Sequence, residues 1–195
     1  MAPVRKRLII LTGLVALIGL FAALGFRSDR LVPRTLQGVG QISLPASVAP
    51  RGSGEALSDD SQRVYFQFAR EYGWLKSLGS SMAYRQLLTV SVLAQDEDAA
   101  DYESWPPGFR PLYATLRHER TLTLGDATVK VSAGRYAQNS LDEPAHLYFY
   151  ADPSRRLHIA WHAVDKDVAP EAAVPLLQRM AESFRVGSGV PETSQ

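Results

Sequence analysis

Thr121-Leu122-Thr123-Leu124-Gly125-Asp126-Ala127-Thr128-Val129-Lys130-Val131 is the stretch from which the fold is read. Apolar and polar residues alternate on both sides of Gly125-Asp126. A two-residue, glycine-containing turn between alternating runs predicts a β-hairpin. Pairing Leu124 with Ala127 sets Leu122 against Val129. Leu122, Leu124, Ala127, Val129 and Val131 then share one face, and Thr121, Thr123, Thr128 and Lys130 the other. A one-residue slip would destroy that segregation, so the pattern specifies its own register.

Downstream, 145–151 and 156–164 form a second predicted hairpin through Asp152-Pro153-Ser154-Arg155. A register pairing Tyr148 with His158 gathers Leu147, Phe149, Leu157, Ile159 and Trp161 on an apolar face, which is assigned to the core. His146, Tyr148, Tyr150, Arg156, His158 and His162 then lie on the opposite face. Upstream, 38–45 and 85–95 read as strands. Two helices are expected. In 59–78, Tyr65, Phe68, Tyr72, Leu75 and Leu78 recur at spacings of three and four, and in 170–184 Ala173, Leu177, Met180 and Phe184 line one side. The expected class is α+β: one domain with an antiparallel meander of about five strands and two packing helices.

The chain opens with an uncharged apolar run at 8–26, LIILTGLVALIGLFAALGF. As a helix it would extend roughly 28 Å, close to the hydrocarbon thickness of a bilayer. The expectation is a transmembrane signal-anchor at 8–26, with a cytoplasmic tail at 1–7 and a linker at 27–37. An extracytoplasmic domain at 38–186 and a disordered tail at 187–195 would follow. Arg5, Lys6 and Arg7 precede the run and Arg27, Arg30 and Arg34 follow it. The free amino terminus tips the balance toward an N-terminus held inside. The competing reading is cleavage after Ala23-Leu24-Gly25, against which the run is longer than an ordinary signal-peptide core. Both readings export the domain, and the first places it on the periplasmic side of the inner membrane.

Composition removes several function classes. The 21 Lys and Arg against 20 Asp and Glu leave a net charge of +1, with no electrostatic case for nucleic acid. The absence of cysteine excludes disulfides, thiol catalysis, a lipobox and cysteine-ligated metals. No nucleophile elbow or phosphate-cradling glycine loop is present. The acidic run Asp96, Glu97, Asp98, Asp101 and Glu103 lacks the spacing of a calcium loop. Neither catalysis nor a cofactor is therefore expected. His146, His158 and His162 could together hold zinc or copper, but that register offers them no acidic partner. Tyrosine, histidine and arginine on one face suit a protein interface better. The expected partner-binding residues are Tyr148, Tyr150, Arg156, His158 and His162. The alternative is a small-molecule or metal-binding sensor domain.

Gly38-Val39-Gly40-Gln41-Ile42-Ser43-Leu44-Pro45 and Met180-Ala181-Glu182-Ser183-Phe184-Arg185-Val186 resemble the start and finish of small PsbP-like α/β domains. They are also similar to the periplasmic immunity proteins that neutralise type VI secretion lipases. The resemblance implies a membrane-associated periplasmic protein that works by binding a toxin. It carries over no functional residue.

Overall fold

In a computed structural model of the chain, the structure describes residues 30–51, 57–58, 64–73, 83–92, 112–137 and 141–187. Among the described residues there are eleven strands and one helix. A small sheet has the order β1-β2-β11, from β1 (Leu31–Leu36), β2 (Gly40–Pro45) and β11 (Arg185–Val186). The large sheet is built from β3 (Ala49–Pro50), β5 (Val64–Glu71), β6 (Tyr84–Val92), β7 (Tyr113–Leu124), β8 (Ala127–Tyr136), β9 (Glu143–Asp152) and β10 (Leu157–Val164). Its order is β3-β5-β6-β10-β9-β8-β7, and β4 (Leu57–Ser58) also pairs with β5. The helix α1 spans Pro170–Glu182.

One face of the large sheet meets α1 and the small sheet. Phe66, Leu88, Val129, Ile159 and Trp161 from that face are buried with Ile42, Leu44, Leu177 and Met180. The other face is also apolar and buried, through Leu87, Tyr113, Tyr136, Phe149 and Ala160. The sheet curls over this second face. Tyr113 on β7 hydrogen-bonds His162 on β10 although β8 and β9 stand between their strands.

The 121–131 hairpin has the expected register, Leu124 opposite Ala127 and Leu122 opposite Val129. Gly125 takes the turn with φ 65°, a left-handed conformation in which a glycine carries no Cβ penalty. Helix α1 begins at Pro170, where a missing N–H costs nothing, and continues through Pro175.

Several expectations are corrected. The α+β assignment gives way to a mostly β architecture, with strands far outnumbering the single described helix. The helix expected over 59–78 is replaced, in its described part, by strand β5. Phe66 and Phe68 alternate onto one face there, pairing opposite Val90 and Leu88. The remainder, 59–63 and 74–78, lies outside the described residues, as does the acidic run at 96–103. The linker at 27–37 contains β1, whose Pro33 is tolerated because β1 is an edge strand. The second hairpin is real but shifted by three residues, so Tyr148 pairs with Trp161 rather than His158. The single-pass anchor is also withdrawn. Among the described residues no helix is long and apolar enough to cross a membrane. The 8–26 run itself lies outside them, as do the cytoplasmic tail at 1–7 and the tail from 188. The transmembrane, signal-anchor and inner-membrane assignments are therefore not kept.

Candidate functional site

The shifted register redistributes the expected contact residues. An odd shift reverses one strand's faces relative to the other. Tyr148 and Tyr150 stand with Trp161 and Ile159 beneath α1, whereas His158 and His162 lie on the opposite face of the sheet. All four are buried, Tyr148 at 1% and His162 at 0% exposure. The structure therefore does not bring the five together as a surface, and Arg156 alone among them is exposed.

The histidines have structural partners instead. His162 Nε2 lies 3.3 Å from the Tyr84 carbonyl, which only accepts, so Nε2 carries the hydrogen and Nδ1 accepts from Tyr113 Oη. Burial pushes the His162 pKa down to about 4, keeping the ring neutral. His146 Nδ1 lies 2.7 Å from Asp165 Oδ1, and its Nε2 3.6 Å from Glu119. The acidic partner missing from the predicted register is thus supplied by the chain that follows β10. Among the described residues no three His, Cys, Asp or Glu side chains converge as a metal site. Burial also raises the Tyr148 hydroxyl, and the nearby Asp165 charge adds to the shift.

Arg156 belongs to a different constellation. The β9–β10 turn is knotted by Asp152, whose Oδ1 accepts from Ser154 Oγ at 2.7 Å and from the Arg155 amide at 3.1 Å. An Asp that bonds the backbone ahead of it is the usual chemistry of such turns. Burial raises the Asp152 pKa, but those hydrogen bonds outweigh it and hold the carboxyl below its ordinary range. Arg156 sits in the turn with φ 53°, a left-handed backbone costing about 1–2 kcal/mol for a residue with a side chain.

The turn faces the junction of α1 with the small sheet. Ser183 Oγ accepts the Ser43 amide at 2.7 Å and donates to the Met180 carbonyl at 2.6 Å, fixing the helix end to β2. The chain then pairs as β11 with β2. Gly40 permits this, because a Cβ there would lie 2.1 Å from the Arg185 carbonyl oxygen. Segments 38–45 and 180–186 are therefore hydrogen-bonded neighbours.

Between turn and junction is a hollow of about 520 Å³. Val39, Val92 and Phe184 supply its apolar lining. Ser154, Arg155, Arg156 and Arg185 supply its polar lining, with Val186 beside them. Val186 is 63% exposed, against the burial of Val39 and Phe184 beside it. Arg155 Nη1 donates to the Ala181 carbonyl at 3.2 Å, and Arg185 Nη1 donates to the Glu182 and Phe184 carbonyls. These bonds anchor two guanidinium groups at the C-terminal end of α1 while leaving further N–H donors on each. Among the described residues no carboxylate lines the hollow.

Sequence reasoning found Arg156 but placed it on the wrong surface. It missed Arg155, Arg185 and Val186. Their signals were the Arg155-Arg156 pair in a turn and the Arg185-Val186 end of the second resembling segment. No protein-family model matches the chain, and no curated protein matches it in sequence.

Proposed function

We propose that this is a protein-binding domain whose contact surface is the end of the molecule formed by Arg155, Arg156, Arg185 and Val186. The observation that carries the reading is the exposed Val186 set beside an apolar-lined hollow with three arginines. Interfaces concentrate their energy in a small apolar centre with arginine and aromatic anchors, enclosed by a polar rim. The backbone of Arg156 supports it. A side chain kept in a conformation that glycine adopts more cheaply points to a use for the side chain. A toxin-neutralising role, as the resemblance to immunity proteins implies, is one form of this reading.

The test is site-specific photocrosslinking in the full chain, with the photoreactive residue at position 186 or, as a control, at exposed Thr123 on β7. One dominant protein captured from position 186 and not from 123 is the expected result. Equal capture from both, or none from 186, removes this surface.

A further inference from the structure

We infer that the hollow beside Val186 recognises an extended acidic peptide segment, taking a carboxylate next to an apolar side chain. This rests on the protein-binding reading of the same surface and adds the chemistry of what is bound.

The charge balance is one-sided. Among the described residues Arg156 and Arg185 meet no carboxylate, while the third cation, Arg155, pairs through Nε with Oδ2 of Asp152 at 3.6 Å, a carboxylate that is already engaged. Its Oδ1 holds Ser154 and the Arg155 amide, its Oδ2 receives the Tyr150 hydroxyl at 3.3 Å, and its side chain is 8% exposed. Arg156 makes no side-chain ion pair among the described residues. A planar guanidinium with spare donors matches a carboxylate in two-point fashion.

Size and shape select the carrier. A hollow of about 520 Å³ has the volume of a ligand cleft. The apolar lining requires an apolar group beside the anion. A second hollow of about 400 Å³ shares Val39, Arg185 and Val186 with the first, so a continuous segment can straddle the exposed valine. Among the described residues β11 pairs only with β2 and forms the edge of its sheet. Unpaired backbone at such an edge is where an extended segment adds. A free organic acid would use the arginines but neither the second hollow nor the edge.

The experiment is selection of random displayed dodecapeptides on the immobilised full chain, repeated on Arg156→Gly/Arg185→Gln and on Val186→Asp. These positions are exposed, and glycine suits the Arg156 backbone, so the variants are expected to keep the parent's circular dichroism and to melt no lower than the parent. The expected winners carry Asp or Glu within two positions of a large apolar residue. A winning peptide should lose about tenfold in affinity when its acid is replaced by the amide isostere, and about tenfold against either variant, roughly 1.4 kcal/mol in each case. Winners without acids, affinity indifferent to the isostere, or no enrichment at all would overturn the proposal. Equal displacement of the peptide by hexanoate or phenyl phosphate would do so too, assigning the hollow to a free anion. A protein captured at position 186 without any acid dependence would leave the surface standing and remove the carboxylate. Failure of the capture itself would remove both.

Discussion

The amide of Tyr84 donates to the hydroxyl oxygen of Tyr136 at 2.7 Å, although β10 and β9 stand between their strands. Three strand spacings of a flat sheet span about 14 Å, more than one side chain bridges. The bond therefore measures how far the sheet closes on itself. Tyr136→Phe removes the acceptor and leaves a buried N–H unpaired. The expected loss is about 1–3 kcal/mol of unfolding free energy, read from urea denaturation. A variant as stable as the parent would show that the curl does not depend on this bond.

His162 makes stability depend on pH. Its folded pKa is lowered from 6.5 to about 4 by burial. Between those values the unfolded chain binds the proton and the folded chain does not, so stability rises with pH there. The contribution is complete above pH 6.5, falls as the pH drops toward 4, and is constant below that. Its full size is roughly 3 kcal/mol. Denaturation of the parent and of His162→Gln at pH 7 and pH 4.5 should show a smaller pH difference in the variant. Equal differences would place the sensitivity elsewhere.

Gly40→Ala tests the junction. The added methyl would collide with the Arg185 carbonyl, a backbone atom that has no alternative rotamer. β11 should detach from β2, carrying Arg185 and Val186 with it. The expected outcome is loss of capture at position 186 with a stability cost of about 1–3 kcal/mol. Faster amide exchange at Val186 and Gly187 would locate the change.

Arg156→Gly separates binding from folding. Relief of the left-handed backbone is offset in part by the greater freedom of glycine in the unfolded chain. Thermal melting should be unchanged or raised by up to about 1 kcal/mol, while partner affinity falls about tenfold. A loss of stability would show instead that the guanidinium supports the fold.

Legibility of the sequence followed how many faces each strand buries. The 121–131 hairpin was readable because Thr121, Thr123 and Thr128 lie away from the core side of Val129 and Val131, which gives the alternation a phase. β10 is buried at every position, so apolar residues occupy both of its faces and no phase survives. That permitted the three-residue error in register, and with it the mistaken Tyr148 and His158 surface. β5 misled for a related reason. Tyr65, Phe68 and Tyr72 fall at helical spacings by coincidence, drawn from two buried faces of one sheet rather than one face of a helix. Arg156 was legible as an exposed cation in a turn. The hollow it borders was not, because Val39, Val92 and Val186 come from three distant segments joined only by tertiary structure.

The pairing of β2 with β11 also sets a schedule for biosynthesis. The Val39 carbonyl accepts the Gly187 amide at 2.8 Å, a partner made 187 − 39 = 148 residues later. On a ribosome the first hairpin emerges early and waits for its third strand until nearly all of the described chain has been translated. Domains generally fold as units, and contacts of long sequence separation form slowly. The arginine hollow, assembled from both ends of that interval, therefore does not exist on a nascent chain until Gly187 has emerged. The proposed contact surface is open to a partner only on chains whose synthesis has passed residue 187.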